Sequence, residues 1–327
     1  MEKSPQTRYV LVTGGSSGIG AATVRELSHR GYRVIATYRA PHARAALEML
    51  PNVSPVQIDL SDPESISEAV AAIDDLVADN GLYALINNAG ITYTAPFEYA
   101  QPERVREIID VNLIAPFLLT QACIPLLERH NASASPKARV INVASWAGLM
   151  AAPFIGFYNA TKYGLIGLTE SMSYDLRPAG IHVVLANPGI TKTPMHGKTT
   201  SAALSSLEAM PAEGRERYGA YLEHFATMGE ASDGSRLLAT ADKVGARIAD
   251  IVDKSKPRYR YNLASDARLI DLVVTRLIPF SVRAAANRRM YRLDKPATHA
   301  PASPATAAVS SQAAAAPPHG PTPLRFE

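Results

Sequence analysis

Six short runs rich in branched apolar residues recur along the chain, and helical spacing follows four of the first five. The runs cover 9–12, 33–37, 53–58, 83–86, 139–143 and 181–186, and helical patterns fall at 19–30, 63–78, 103–130 and 157–177. Strands separated by helices are joined by crossovers rather than hairpins. They therefore predict a parallel sheet with helices on both faces. The runs are apolar on both sides, as strands covered on both faces must be. No internal repeat is present. The fold class expected is α/β, a doubly wound parallel sheet forming a single domain over 1–262. A basic amphipathic helical extension follows over 263–295.

Composition narrows this further. Of 327 residues, 47% are hydrophobic and 19% charged, which excludes a wholly disordered, collagenous or disulfide-scaffolded chain. The exception is 296–327, where ten Ala and seven Pro give no periodicity and predict a disordered tail. The single cysteine, Cys123, rules out an intrachain disulfide and fits a reducing compartment. No apolar run approaches the ~20 residues of a membrane span. Residues 1–13 lack a signal-peptide pattern. The expectation is a cytoplasmic protein. The net charge of +3 is concentrated: 253–295 carry 11 Lys/Arg against 4 Asp/Glu. No nucleic-acid module or domain-wide basic face accompanies it, so no nucleic-acid partner is expected.

The first run leads directly into Thr13-Gly14-Gly15-Ser16-Ser17-Gly18-Ile19-Gly20. Gly14 allows a sharp turn, Gly18 a close approach to a pyrophosphate, and Gly20 tight helix–strand packing. The following helix N-terminus favours negative charge. The spacing differs from the commonest dinucleotide fingerprint. The same residues also read Gly-x-Ser-x-Gly about Ser16, a nucleophile elbow. A hydrolase would then need a downstream acid and histidine, for which His182 and His196 are the candidates.

A second constellation lies further along. Ser145 ends a strand; Tyr158 and Lys162 follow, four residues apart on one helix face. An ammonium beside a phenol favours the phenolate, pulls its pKa down from ~10 and makes a general acid/base. Ser145 is placed to hydrogen-bond a carbonyl oxygen.

With these residues, the chain over about 8–260 resembles the one-domain short-chain dehydrogenase/reductase family. The motifs run in order: Thr13-Gly14-x3-Gly18-x-Gly20, Asn87-Asn88-Ala89-Gly90, Asn112, Ser145, Tyr158-x3-Lys162, and Asn187-Pro188-Gly189 with Thr193. The resemblance implies a Rossmann-like fold and places Ser16 in a cofactor loop, which removes the hydrolase reading. It also implies that Tyr158 transfers the proton, that Lys162 lowers the tyrosine's pKa and binds the nicotinamide ribose, and that Ser145 polarises the carbonyl. Asn112 would hold a relay water. The cofactor would meet Thr13, Gly14, Ser16, Ser17, Gly18, Ile19 and Gly20, then Tyr38 and Arg39, then Asp59 and Leu60. Asn88, Ala89 and Gly90 would floor the site, and Pro188, Gly189 and Thr193 would hold the carboxamide. No metal is implied, and no clustered His/Cys ligand pattern calls for one.

The second strand ends in Tyr38-Arg39, without the acid that would bind a ribose 2′-hydroxyl. Arg39 suits a 2′-phosphate, so NADP(H) is favoured and NAD(H) is the alternative. Tyr93, Phe97, Trp146, Phe154, Phe157, Met195 and His196 are the expected pocket walls, suited to a lipophilic ketone, aldehyde or alcohol. The stretch 194–239, with a helix at 215–228, is read as a substrate loop and lid. The region 257–293, through Pro257–Tyr261, Asp266–Ile270 and Leu277–Pro279, resembles the C-terminal part of retinol and hydroxysteroid dehydrogenases. The region 266–292 carries the basic amphipathic character of a membrane-surface contact, or of a helix packed on its own domain or a mate. The resemblance implies a homodimer or homotetramer. A non-catalytic dinucleotide-binding sensor or scaffold is the reading outside enzymes.

Overall fold

The computed structural model describes residues 7–233 and 238–293; the tail at 296–327 lies outside them. The strands are β1 (Tyr9–Val12), β2 (Arg33–Tyr38), β3 (Val53–Gln57), β4 (Leu82–Asn87), β5 (Arg139–Val143), β6 (His182–Asn187), β7 (Thr191–Lys192), β8 (Ala239–Thr240) and β9 (Arg260–Asn262). Seven of them form one parallel sheet in the order β3-β2-β1-β4-β5-β6-β9. The chain starts in the middle, builds outward to β3, then returns to β4 beside β1. That reversal leaves a crevice at the carboxyl ends of β1 and β4.

Side chains alternate across each strand, so the sheet carries two cores. Val10 and Val12 pack with Val34, Ile86, Ile141 and Val184 on one face. Leu11 packs with Ile35, Leu85, Val140 and Val183 on the other. Helix α1 (Gly18–His29) and a later helix, Ala241–Asp253, cover the first face through Val24, Leu27, Val244 and Ile248. Short α2 (Arg44–Glu48) follows β2. Helix α3 (Pro63–Val77) covers the second face. Asp62 caps it by accepting from the Glu64 amide at 2.9 Å, and Ile66, Ala69, Ile73 and Val77 are buried at helical spacing.

The long helical pattern at 103–130 is interrupted. Helix α4 (Pro102–Ile109) passes through one π turn, Asp110–Ile114, into α5 (Ala115–Ser133). A π turn inserts one residue into the helical register. Here it carries Asn112. By length and composition this 102–133 helix is apolar enough to cross a membrane, contrary to the sequence expectation. Yet Leu119, Cys123, Leu126 and Leu127 are buried against the sheet, as in a core helix.

Helix α6 (Gly156–Asp175) carries Tyr158 and Lys162. Beyond β6, the stretch expected to be a loop with one helix contains two. Helices α7 (Pro194–Ala209) and α8 (Ala212–Asp233) form a hairpin around Ala203, Met210 and Leu222. The β7–β8 pair closes the base of that hairpin. Helix α9 (Ala241–Asp253) then leads to the edge strand β9. The end of the described chain folds as α10 (Ser265–Leu269), a π turn, α11 (Thr275–Leu277) and α12 (Phe280–Met290).

Candidate active site

The crevice opens into a cleft of about 550 Å³. At one end lies the glycine loop. Gly14 and Gly18 hold φ of 65° and 54°, conformations that side-chain-bearing residues rarely adopt. A carbon added to Gly20 would collide with the Gly14 carbonyl. Ser17 is the N-cap of α1, but its hydroxyl makes no bond to the first turn, which leaves those N–H groups for an anion. This cradle fits the diphosphate of a dinucleotide. Ser16, Ser17, Gly18, Ile19 and Gly20 line it together with Asn88, Ala89 and Gly90.

Tyr38, Arg39, Asp59 and Leu60 line the adenosine end. The Asp59 carboxylate accepts from the Ser61 hydroxyl at 2.6 Å and its amide at 2.9 Å. These bonds hold its pKa below the ordinary carboxylate value, with Arg39 adding to the effect. The end of β2 itself brings Tyr38 and Arg39 to the cleft and no carboxylate. Thr13 does not line the cleft. It clamps it instead, because its hydroxyl accepts from the Asn88 and Ala89 amides at 2.9 Å and its carbonyl accepts from the Asn88 side chain at 2.8 Å. The ends of β1 and β4 are thereby fixed together.

Ser145, Tyr158 and Lys162 meet in the middle. The Ser145 hydroxyl accepts from the Ala147 amide at 3.1 Å, which orients it. Lys162 is buried, and its ammonium donates to the Val143 carbonyl at 3.1 Å. It stands 5.8 Å from the centre of the Tyr158 ring. Burial pulls the lysine pKa down to about 8. Burial also pushes the Tyr158 phenol above its usual value, and its hydrogen bond with Ser145 partly opposes this. At Tyr158 desolvation thus outweighs the downward pull expected of Lys162, whose ammonium is engaged by a carbonyl.

Asn112 lies outside the cleft wall and is fully buried. Its side chain accepts from the Ile91 amide at 2.8 Å, and donates to the Ile91 carbonyl at 2.9 Å and to Thr161 at 3.2 Å. The π turn is what swings it toward the Gly90–Ile91 loop. A carbon on Gly90 would lie 3.2 Å from its amide oxygen and 3.6 Å from the Lys162 ammonium.

Pro188, Gly189 and Thr193 line the same cleft, as do Trp146 and Met195. Four expected wall residues do not. Tyr93 and Phe157 stack at 6.5 Å, and Phe97 stacks on Phe157 at 5.7 Å with its ring turned to solvent. Phe154, at φ 65°, meets Phe225 edge-on at 6.0 Å in the hairpin core. The first turn of α6 directs Phe157 away from the cleft because it directs Tyr158 into it. The His196 side chain lies outside the described residues.

The walls that replace them come from later in the chain. Phe225 and Met228 of α8, Ile270, and Asn287, Met290 and Tyr291 of the C-terminal segment close the substrate end. Tyr291 stacks on Phe225 at 6.0 Å, His224 contacts the Met290 carbonyl at 3.0 Å, and Asn287 donates to the Ala151 carbonyl at 3.1 Å. Sequence patterning marked this segment as basic and amphipathic. Nothing in its spacing said that it folds back over the cleft. Among the described residues, no cluster of His, Cys, Asp or Glu has the makings of a metal site.

This arrangement can hold a dinucleotide along the sheet edge and present a proton donor to a carbonyl beside it. A family profile described as short chain dehydrogenase matches residues 8–203. Retinol dehydrogenase 16 of Rattus norvegicus is 30% identical over 286 residues, covering 85% of this chain and 87% of that one. The NADPH-dependent 3-dehydrocapnine reductase of Ornithobacterium rhinotracheale is 30% identical over 266 residues, covering 79% and 88%. A short-chain dehydrogenase from Streptomyces avermitilis superposes with a TM-score of 0.65 at 23% identity, over 90% of this chain and all of that one. With its crossover order, glycine cradle and Ser145–Tyr158–Lys162 cluster, the chain belongs to the short-chain dehydrogenase family and is an oxidoreductase of that family.

Proposed function

We propose that the protein is an NADP(H)-dependent oxidoreductase that interconverts a ketone or aldehyde with an alcohol on a lipophilic substrate. One observation carries the reading. Ser145, Tyr158 and Lys162 sit between a glycine cradle and an end walled by Trp146, Ile155, Phe225 and Tyr291. Charged side chains line the cleft at Lys162 and at the adenosine end, through Arg39 and Asp59. An uncharged, apolar substrate is therefore the one that the far end can desolvate without leaving a charge unpaired.

The glycine cradle, Lys162 and the Pro188–Gly189–Thr193 loop would hold a reduced nicotinamide dinucleotide, which would supply the hydride for the carbonyl carbon. Tyr158 gives its phenolic proton to the carbonyl oxygen, and takes it back in the oxidation direction. Ser145 donates to the same oxygen and holds it at Tyr158. The Lys162 ammonium stabilises the phenolate left behind, and Asn112 fixes the Gly90–Ile91 loop against it. Arg39 takes the 2′-phosphate, a reading that the name of the NADPH-dependent relative supports.

Outside the cleft, Leu269, Leu272, Leu277, Phe280 and Val282 are exposed beside Arg268, Arg276 and Arg289. This face suits peripheral contact with an anionic membrane surface. Exposed Ile114 on the π turn, Phe117 on α5 and Tyr163 on α6 suit a homodimer.

The test is a titration of the full chain with NADPH and NADH, followed by turnover on lipophilic ketones and aldehydes, retinal included. NADPH is expected to bind more tightly. Turnover is expected to fall at least about 100-fold in Tyr158→Phe while NADPH binding holds. Binding of neither nucleotide would overturn the reading. Tighter NADH binding would replace it with an NAD(H)-linked dehydrogenase.

A further inference from the structure

Asp266 belongs to the C-terminal segment, far in sequence from the catalytic cluster, yet it touches the Gly189–Ile190 loop that lines the cleft. Its carboxylate accepts from the Ile190 amide at 2.7 Å. It also lies against the bare α-carbon of Gly189, where a side-chain carbon would collide with it. Gly189 is not at positive φ. Space, not backbone freedom, is what demands glycine there. Pro188, Gly189 and Ile190 all line the cleft. The Pro188 carbonyl accepts from the Trp146 amide at 2.9 Å, which ties this loop to the turn that carries Ser145.

The carboxylate is itself held in place. Buried Asp271, five residues on, accepts from Arg260 at 3.1 Å and from Asn262 at 2.8 Å. Asn262 accepts in turn from Asn187 at 3.2 Å, at the end of β6. The segment 265–274 is thus anchored to β9 and β6 on both sides of the loop. Ile270, one turn after Asp266, adds its side chain to the cleft wall.

We propose that Asp266 is a positioning residue: it seats the Pro188–Gly189–Ile190 loop against the nicotinamide end of the dinucleotide. The proposal rests on the dinucleotide reading above. It makes the C-terminal segment part of the cofactor site rather than an appendage to it. Without the carboxylate, the Ile190 amide loses its acceptor and a void opens beside Gly189, so the loop no longer has a single seat. The adenosine end, lined by Tyr38, Arg39, Asp59 and Leu60, keeps its own contacts.

The experiment compares two ligands on the full chain: NADPH, and adenosine 2′,5′-bisphosphate, which lacks the nicotinamide. Asp266→Ala is expected to weaken NADPH binding about tenfold and to change binding of the fragment less than twofold. Asp266→Asn keeps an oxygen for the Ile190 amide and is expected to stay within about threefold of wild type for both ligands. Gly189→Ala should weaken NADPH binding on its own, and do so much less when combined with Asp266→Ala, because the carboxylate it strikes is gone. Equal loss of both ligands in Asp266→Ala, no loss of either, or a Gly189→Ala effect that simply adds would overturn the proposal. Should Asp266→Ala not fold, Gly189→Ala decides it: loss of NADPH binding with the fragment kept supports the proposal, and equal loss of both ligands or no loss of either overturns it. Failure of the wild-type chain to bind either ligand would instead overturn the dinucleotide reading.

Discussion

Lys162 is the residue at which stability and activity pull apart. An ammonium buried with one carbonyl partner has its pKa lowered from 10.5 to about 8. Below about pH 8 the folded chain carries the full cost of that charge. Between about 8 and 10.5 the unfolded chain binds the extra proton, so this group makes stability rise with pH. A shift of that size corresponds to about 3 kcal/mol. Lys162→Met should therefore raise the Tm of the cofactor-free protein at pH 7 while abolishing turnover, and the gain should vanish near pH 10.5. Calorimetry across that range checks it; a variant that is less stable at pH 7 would refute the account. At the other end of the cleft, Arg39→Ala should lower the preference for NADPH over NADH by about 10- to 100-fold, the worth of a hydrogen bond to a charged group. Unchanged selectivity would place the 2′-phosphate elsewhere. Both residues were legible in the sequence. The direction of the Tyr158 shift was not, because spacing shows which groups are neighbours and says nothing of how deeply they are buried.

Elements decide where these residues point. The helical pattern over 103–130 is continuous in sequence, but a π turn at 110–114 rotates Asn112 onto the Gly90–Ile91 loop. Periodicity averages over a window and does not register one inserted residue. The same holds at α6, where one turn sends Tyr158 inward and Phe157 out to Tyr93 and Phe97. The helical hairpin meets the C-terminal segment through the Phe225–Tyr291 stack and the His224 contact with the Met290 carbonyl. An aromatic pair contributes about 0.5–1.5 kcal/mol beyond its buried area. Tyr291→Ala should accordingly raise KM for a lipophilic substrate by about two- to tenfold and leave NADPH affinity unchanged. Steady-state kinetics beside a NADPH titration would separate the two, and a loss of cofactor affinity would contradict the placement of α12 at the substrate end.

At the scale of the molecule, the cleft is where distant parts of the chain converge. The loop after β1, the turn after β5, the loop after β6, the hairpin and the C-terminal segment all border it. A dinucleotide bound across them stabilises the whole native state by mass action. At 100 times Kd the gain is about 2.7 kcal/mol, enough to raise Tm by several degrees. A thermal melt with NADPH should show one transition moving upward; a transition that splits would mean that the hairpin and C-terminal segment melt apart from the sheet.

The amino-acid sequence alone determined the doubly wound sheet, the glycine cradle and the identity of Ser145, Tyr158 and Lys162. Those features are local: apolar runs a few residues long, a turn, and two side chains four apart on a helix. Tertiary structure decided which residues wall the substrate end and what holds the Pro188–Ile190 loop. Phe225 and Tyr291 reach the cleft, and Asp266 the loop that lines it, from segments whose own patterns record only an amphipathic helix. Their positions depend on how those helices pack across the sheet edge, and packing between segments far apart in the chain leaves no period for a sequence to display.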